Sequence, residues 1–266
     1  PIVKGCIKAA PGNKIVAMDL TTAEVYVAAI LAKDNALMDV FRSGGNFHST
    51  IAHKVFKLKC SVEEVAELYS TQRQAAKAVT FGIMYGAGPA KISEQVTKDS
   101  GTYFSRQEAQ EVINEYFSAF HKLKSWIEQN QKFIQQNGFI YSFFGRKRRL
   151  PNVASTDKGI QSHSIRSGLN FLVQSAASDI NLLGAIDMSE YIKANNLESR
   201  IFALVHDSIL AEVPEKEVEH YKEKLTHFVQ LDRGLSIPGT PVGCDFEIVH
   251  EDYSGGKFEK MYGNYL

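Results

Sequence analysis

Strand-like runs stand near the two ends of this 266-residue chain with a long helical stretch between them, and that placement limits the folds open to it. Lys14 to Leu20 is a short apolar, β-branched run holding an acid, Asp19, near its end. Thr21 or Thr22 then stands where it can cap a helix made of the next dozen residues, rich in Ala, Val, Ile and Leu. Arg200 to Val213 reads as two short apolar runs meeting at His206, Asp207 and Ser208, the pattern of a β-hairpin with polar residues at its turn. Thr71 to Tyr85 is a helical segment stopped by Gly86 and Gly88, with Pro89 just beyond. Ser105 and Glu108 make a capping box, after which Ala109, Val112, Ile113, Tyr116, Phe117 and Phe120 recur at helical spacing, and Gly138 ends the helix that follows. The expected fold class is α+β, an antiparallel sheet carrying a long helical insertion.

A hydrophobic share of 44% and a charged share of 23% are enough to fill a sizeable core, as one large or two modest domains. No run approaches the roughly 20 apolar residues of a membrane helix, and Pro1 to Cys6 has no signal-peptide pattern, so a soluble intracellular protein without a membrane partner is expected. Cys6, Cys60 and Cys244 are far apart and form no C-x-x-C pair, and the eight histidines show no H-E-x-x-H spacing, so neither a disulfide framework nor a zinc site is expected. Lys plus Arg (30) balance Asp plus Glu (30), yet the basic residues gather at Lys122 and Lys124, at Arg146 to Arg149 and at Arg166. Acids gather at Glu63 and Glu64, from Glu212 to Glu219, and at Glu251 and Asp252. That asymmetry leaves room for a basic groove that binds nucleic acid.

Asp19 and Asp207, each taken alone, fit a cap or turn role. As two strand-end carboxylates that one sheet could bring side by side, they suit a pair of magnesium ions about 4 Å apart, because hard oxygen ligands favour Mg²⁺. Arg73, Lys77, Phe81 and Tyr85 recur every four residues and drift about 40° per step, so they form one stripe on a helix. Two cations followed by two aromatics fit a nucleotide, with the cations on the triphosphate and Phe81 against the base; a generic amphipathic helix is the alternative. The run Arg146-Lys147-Arg148-Arg149 reads either as a solvated loop or as a contact to a phosphate backbone. Arg166, Asn170 and Gln174, again four apart, are polar residues able to reach nucleic acid from one helix face.

With these residues in order, the chain resembles family A DNA polymerases, the bacterial DNA polymerase I group and its phage relatives, from about residue 5 to its C-terminus. Ile15 to Tyr26 is similar to motif A, with Asp19 as its metal-binding aspartate and Glu24 at the position that excludes a ribose 2′-hydroxyl. Arg73 to Gly86 fits motif B, R-x3-K-x3-F-G-x2-Y-G, and Val205-His206-Asp207 fits motif C. Asn46-Phe47-His48 resembles the segment whose histidine meets the incoming triphosphate, and Phe144-Gly145-Arg146 through Leu150-Pro151 resembles the family's F-G-R-R element. The resemblance implies a palm over residues 1–44 and 152–266, with fingers over 45–151. It also implies two Mg²⁺ ions at Asp19, Leu20 and Asp207, with dNTPs at Arg73, Lys77, Phe81, Tyr85, Glu24 and His48, Lys77 serving catalysis as well. Primer-template DNA would lie at Arg146, Arg166, Asn170, Gln174 and His206, in the cytoplasm of a bacterial or phage-infected cell.

The sequence departs from the family pattern at Ser208, where motif C usually has Glu, at Tyr26, where motif A usually has Arg, and over Leu20 to Ala23. His-Asp-Ser also resembles single-subunit RNA polymerases, against which Glu24 and Phe81 weigh, and a silent DNA-binding remnant is a third reading. The family's thumb and 3′-5′ exonuclease have no counterpart in this sequence, so the resemblance implies a fragment of a longer chain or a second polypeptide that supplies them.

Overall fold

In the computed structural model, which describes residues 6–249, the sheet is built around β1 (Asn13–Thr21). The opening residues 1–5 and the acidic pair Glu251 and Asp252 lie outside the described residues. Ile15, Val16, Ala17 and Met18 are all buried, so both faces of β1 are covered and it takes a central place. On one side it pairs antiparallel with β5 (Ser208–Pro214), from Asn13 opposite Pro214 to Asp19 opposite Ser208. On the other it pairs antiparallel with β6 (Gly243–Val249), from Ile15 opposite Val249 to Thr21 opposite Gly243. With β4 (Arg200–Val205) at the edge, the strand order is β4-β5-β1-β6.

Helices α1 (Ala23–Leu31), α2 (Asn35–Arg42), α3 (Phe47–Phe56), α4 (Val65–Leu68), α5 (Ser70–Met84), α6 (Pro89–Ser100), α7 (Arg106–Ala119) and α8 (His121–Asn137) follow β1. The short hairpin β2 (Phe139–Tyr141) and β3 (Lys147–Arg149) comes next, then the long α9 (Lys158–Ala194), and α10 (Val218–Val229) lies between β5 and β6. The expected order, a sheet interrupted by a helical insertion, is the order found.

The chain forms two compact units. Of the described residues, the first comprises 6–23, 177–234 and 241–249; the second comprises Glu24–Ala176 and Leu235–Thr240. In the first, α10 buries Val218, Tyr221, Leu225 and Val229. A Cβ at Gly184 of α9 would fall 2.5 Å from the Val229 side chain and 3.0 Å from its Cα, so the missing side chain is what lets α9 approach α10.

In the second unit one buried acid organises two helices: Asp34 caps α2 by accepting from Leu37 N at 3.1 Å, and its other oxygen accepts from Leu123 N of α8 at 3.0 Å. The capping box of α7 is complete, with Ser105 Oγ accepting from Glu108 N and the Glu108 carboxylate accepting from Ser105 N. Ala109, Val112, Tyr116 and Phe120 form its buried stripe. The start of α1 differs from expectation. Thr22 adopts a left-handed φ of 51°, not the extended backbone usual for an N-cap, and donates its hydroxyl to the Thr21 carbonyl. Among the described residues no helix is long and apolar enough to cross a membrane.

Candidate active site

The first unit brings the two predicted aspartates together. Asp19 lies near the end of β1, and the turn joining β4 to β5 consists of His206 and Asp207, closed by the pair Val205 and Ser208. Leu20 N donates to the Asp207 carbonyl at 3.4 Å, which sets the turn beside the end of β1. His206 has a φ of 55°, the left-handed value that a tight two-residue hairpin turn requires of at least one central residue. Such a φ is strained in a residue with a Cβ, and strain of this kind collects at functional sites.

Ser208 and Asp245 both stand opposite Asp19, one on each neighbouring strand, so the three side chains share a face. Ser208 Oγ donates to Asp19 Oδ1, which fixes that carboxylate's rotamer. Asp19 is half-buried and Asp207 is exposed. Among the described residues no group of three or more His, Cys, Asp or Glu side chains is set to hold a metal. Two carboxylates with the neighbouring Leu20 carbonyl are nonetheless an all-oxygen set, and Mg²⁺ is commonly held by one or two carboxylates with substrate phosphates completing its shell.

In the second unit the predicted stripe lies along α5. Ala75, Ala76, Val79, Thr80 and Ile83 form the buried side of the helix, which leaves Lys77 and Tyr85 exposed and Arg73 and Phe81 partly so. Arg73 is braced by α3, its Nε donating to Ser49 Oγ at 3.2 Å and its Nη2 to Asn46 Oδ1 at 3.4 Å. Asn46 also caps α3. His48, two residues on, packs its ring 5.4 Å from that of Phe81. Burial first, and then the positive charges of Lys77 and Arg73, push its pKa down to about 4, so the imidazole is neutral at pH 7. Its Nδ1 is buried with no hydrogen-bond partner among the described residues.

Tyr85 reaches across to α1, where its hydroxyl meets both Glu24 carboxylate oxygens, and Gln174 Nε2 donates to the same hydroxyl at 3.4 Å. Gly86, with a φ of 67°, lies against Arg166, whose side chain occupies the space a Cβ would need. Thus Arg166 and Gln174 of α9 meet the end of α5, while Asn170 between them keeps a buried Oδ1 with no partner among the described residues. Arg146 Nε donates to Ser175 Oγ at 3.3 Å, and Arg148 Nη2 to Ser167 Oγ at 2.6 Å, so both arginines lie along α9.

The family model for DNA polymerase family A matches residues 2–248. The chain belongs to DNA polymerase family A. It is 46% identical over 98% of its length to the DNA polymerase of Escherichia phage T5, and 31% identical over 85% to DNA polymerase I of Caldicellulosiruptor bescii. It spans 33% of the first relative and 25% of the second. The POL domain of Pol1 from M. smegmatis, solved in complex with DNA primer-template and dNTP, shares the fold with a TM-score of 0.80 at 23% identity, covering 94% of this chain and 42% of that one. The α+β fold read from the sequence is therefore that of a family A polymerase portion.

Three features of this family A chain escape a reading of its sequence. Asp245 becomes a neighbour of Asp19 only through the β1–β6 register. Tyr26, at the position where the motif usually has Arg, is buried and donates its hydroxyl to the Thr240 carbonyl at 2.8 Å while accepting from Ile237 N at 2.8 Å. The bracing of Arg73 by Ser49 and Asn46 joins residues far apart in the chain. The one local signal for it is Asn46 itself, an N-cap residue type placed just before a helix.

Proposed function

We propose that this chain carries the palm (residues 1–44 and 152–266) and fingers (45–151) of an enzyme of template-directed DNA synthesis, acting as part of a longer chain or with a second polypeptide. Its substrates are dNTPs and primer-template DNA, in the cytoplasm of a bacterial or phage-infected cell. The observation that carries the reading is the pairing of Asp19 with the Asp207 turn at one corner of the sheet, joined by the Leu20–Asp207 backbone bond. In the reaction the primer 3′-oxygen attacks the α-phosphorus and pyrophosphate departs. Two Mg²⁺ ions, when bound, supply activation of that oxygen and neutralise charge on the leaving group.

The protein's own groups divide the remaining work. Asp19 and Asp207, with the Leu20 carbonyl, offer the hard oxygens. Ser208 holds Asp19 in one orientation through a hydrogen bond where the family usually places a second acid. Lys77 and Arg73 meet the triphosphate, and Lys77 stabilises charge as it moves to the leaving group. A neutral His48 offers a hydrogen bond without adding a third positive charge beside them. Phe81 and Tyr85 shape the base and sugar pocket, and Glu24 fills the space of a 2′-hydroxyl. Arg146, Arg166, Asn170, Gln174 and His206 contact the template and primer.

Template dependence tests the proposal directly. Each dNTP is supplied singly with Mg²⁺ against each of four template bases. Extension by the complementary nucleotide alone is expected, and incorporation indifferent to the template base would contradict it.

A further inference from the structure

The β2–β3 hairpin has two chemically different faces, and the site described above uses one of them. Strand alternation puts Ile140 and its partner Arg148 on the side that meets α9, where Arg148 bonds Ser167 and lies 5.6 Å from the ring of Phe171. The opposite face carries Phe139 across from Arg149 and Tyr141 across from Lys147. Each aromatic of one strand is thus matched by a cation of the other. Lys147 Nζ stands 4.0 Å from the Phe139 ring centre and 5.4 Å from that of Tyr141. Phe133 of α8 extends the aromatic surface, its ring 5.8 Å from Phe139 at 87°.

This surface is open to solvent. Tyr141 is 51% exposed and Phe133 40% exposed, values that leave stacking area uncovered. Beside them a cleft of about 350 Å³ is lined by Gln129, Asn130, Phe133, Ile140 and Tyr141. Neither Lys147 nor Arg149 has a carboxylate partner among the described residues. Aromatic faces interleaved with uncompensated cations, next to side-chain amides, match the chemistry of unpaired nucleic acid: bases stack, phosphates meet ammonium and guanidinium, and amides meet base edges. Duplex DNA, whose internal bases are already stacked on one another, offers such a surface its phosphates and groove edges but no internal base face to stack on.

We infer that the Phe133, Tyr141, Lys147 and Arg149 face binds single-stranded DNA, and that it is separate from the contacts made through α9. The inference rests on the reading of primer-template as the substrate, whose template strand has an unpaired portion. It gives the hairpin two roles, with Arg146 and Arg148 directed to α9 and Lys147 and Arg149 directed away from it.

The test is fluorescence anisotropy with a labelled oligodeoxythymidylate and, separately, a labelled blunt duplex, both without metal or nucleotide. The wild type is expected to bind the single strand. Tyr141→Ala and Lys147→Ala are each expected to weaken that binding about tenfold while Tyr141→Trp retains it, the usual scale for loss of one stacking or charge contact. Affinity of Tyr141→Ala for the blunt duplex should be unchanged. Unaltered single-strand affinity in both Tyr141→Ala and Phe133→Ala, equal weakening on the duplex, or no single-strand binding by the wild type would each overturn the inference. Template-directed extension by the same preparations separates the two readings. Extension with a single-strand affinity indifferent to Tyr141 removes only the inference, whereas Tyr141-dependent binding without extension removes only the proposed function.

Discussion

The Tyr85 hydroxyl lies 2.9 and 2.7 Å from the two carboxylate oxygens of Glu24, joining the exposed end of α5 to the first turn of α1. A carboxylate held in this way is a fixed obstacle and a fixed charge. A ribose 2′-hydroxyl brought against it is both crowded and poorly paired. Glu24→Ala is therefore expected to lower discrimination against ribonucleotides by about 10- to 100-fold, the range of one unsatisfied polar contact. The ratio of kcat/KM for a dNTP to that for its ribonucleotide measures it, and Tyr85→Phe, which frees Glu24 without removing it, should move the ratio less.

His48 makes stability depend on pH in a stated direction. In the unfolded chain it takes up a proton near its ordinary value of 6.5, whereas burial and the charges of Lys77 and Arg73 delay protonation in the folded chain until about pH 4. Between those values the unfolded state binds more protons, so stability falls as pH is lowered through the window. Urea midpoints measured from pH 7 to pH 4 should decline more steeply for the wild type than for His48→Asn. Parallel curves would remove His48 from the account.

Tyr26 answers for the family arginine in a different way, as a clasp on the segment Leu235–Thr240. Tyr26→Phe keeps the ring and its edge contact with Phe41, 5.2 Å between centres, but leaves the Ile237 N–H and the Thr240 carbonyl without their bonds to the phenol. A loss of about 1–3 kcal/mol in unfolding free energy is expected from chemical denaturation. A neutral result would mean that water replaces the hydroxyl.

Gly86→Ala acts on Arg166. Alanine at a φ of 67° is strained, and its methyl group would occupy the place of the Arg166 side chain. Primer-template affinity is expected to fall about tenfold, the scale of one lost arginine contact. Combining the change with Arg166→Ala should add little further, since both remove the same interaction.

How far these relationships could be read from the sequence depends on the range over which each is determined. The capping box at Ser105 and Glu108, the end of α8 at Gly138 and the stripe from Arg73 to Tyr85 are local, set by residues within one or two helical turns, and each was legible as spacing. The β4–β5 hairpin was legible for the same reason, with its turn confined to His206 and Asp207 and Ser208 opening β5. Thr22, which with Thr21 is the cap expected from the sequence, instead takes a left-handed φ and turns its hydroxyl to the Thr21 carbonyl, a backbone conformation that spacing alone does not announce. Asp245 beside Asp19, and Tyr26 against Thr240, depend on pairing between segments more than 200 residues apart. No local pattern encodes such a register. Membership of the family directs attention to Asp19 and Asp207, but the way Ser208 serves Asp19 required the sheet.

The most direct test of the central claim is primer extension on a defined template with Mg²⁺, comparing the wild type with Asp207→Ala and supplying deoxy- and ribonucleotides in separate reactions. Extension with deoxynucleotides that Asp207→Ala reduces by at least a thousandfold is the expected result, on the scale of losing a group that acts with the metal ions. Extension that survives Asp207→Ala undiminished would contradict the assignment of the Asp19 and Asp207 corner as the place where the chemistry occurs.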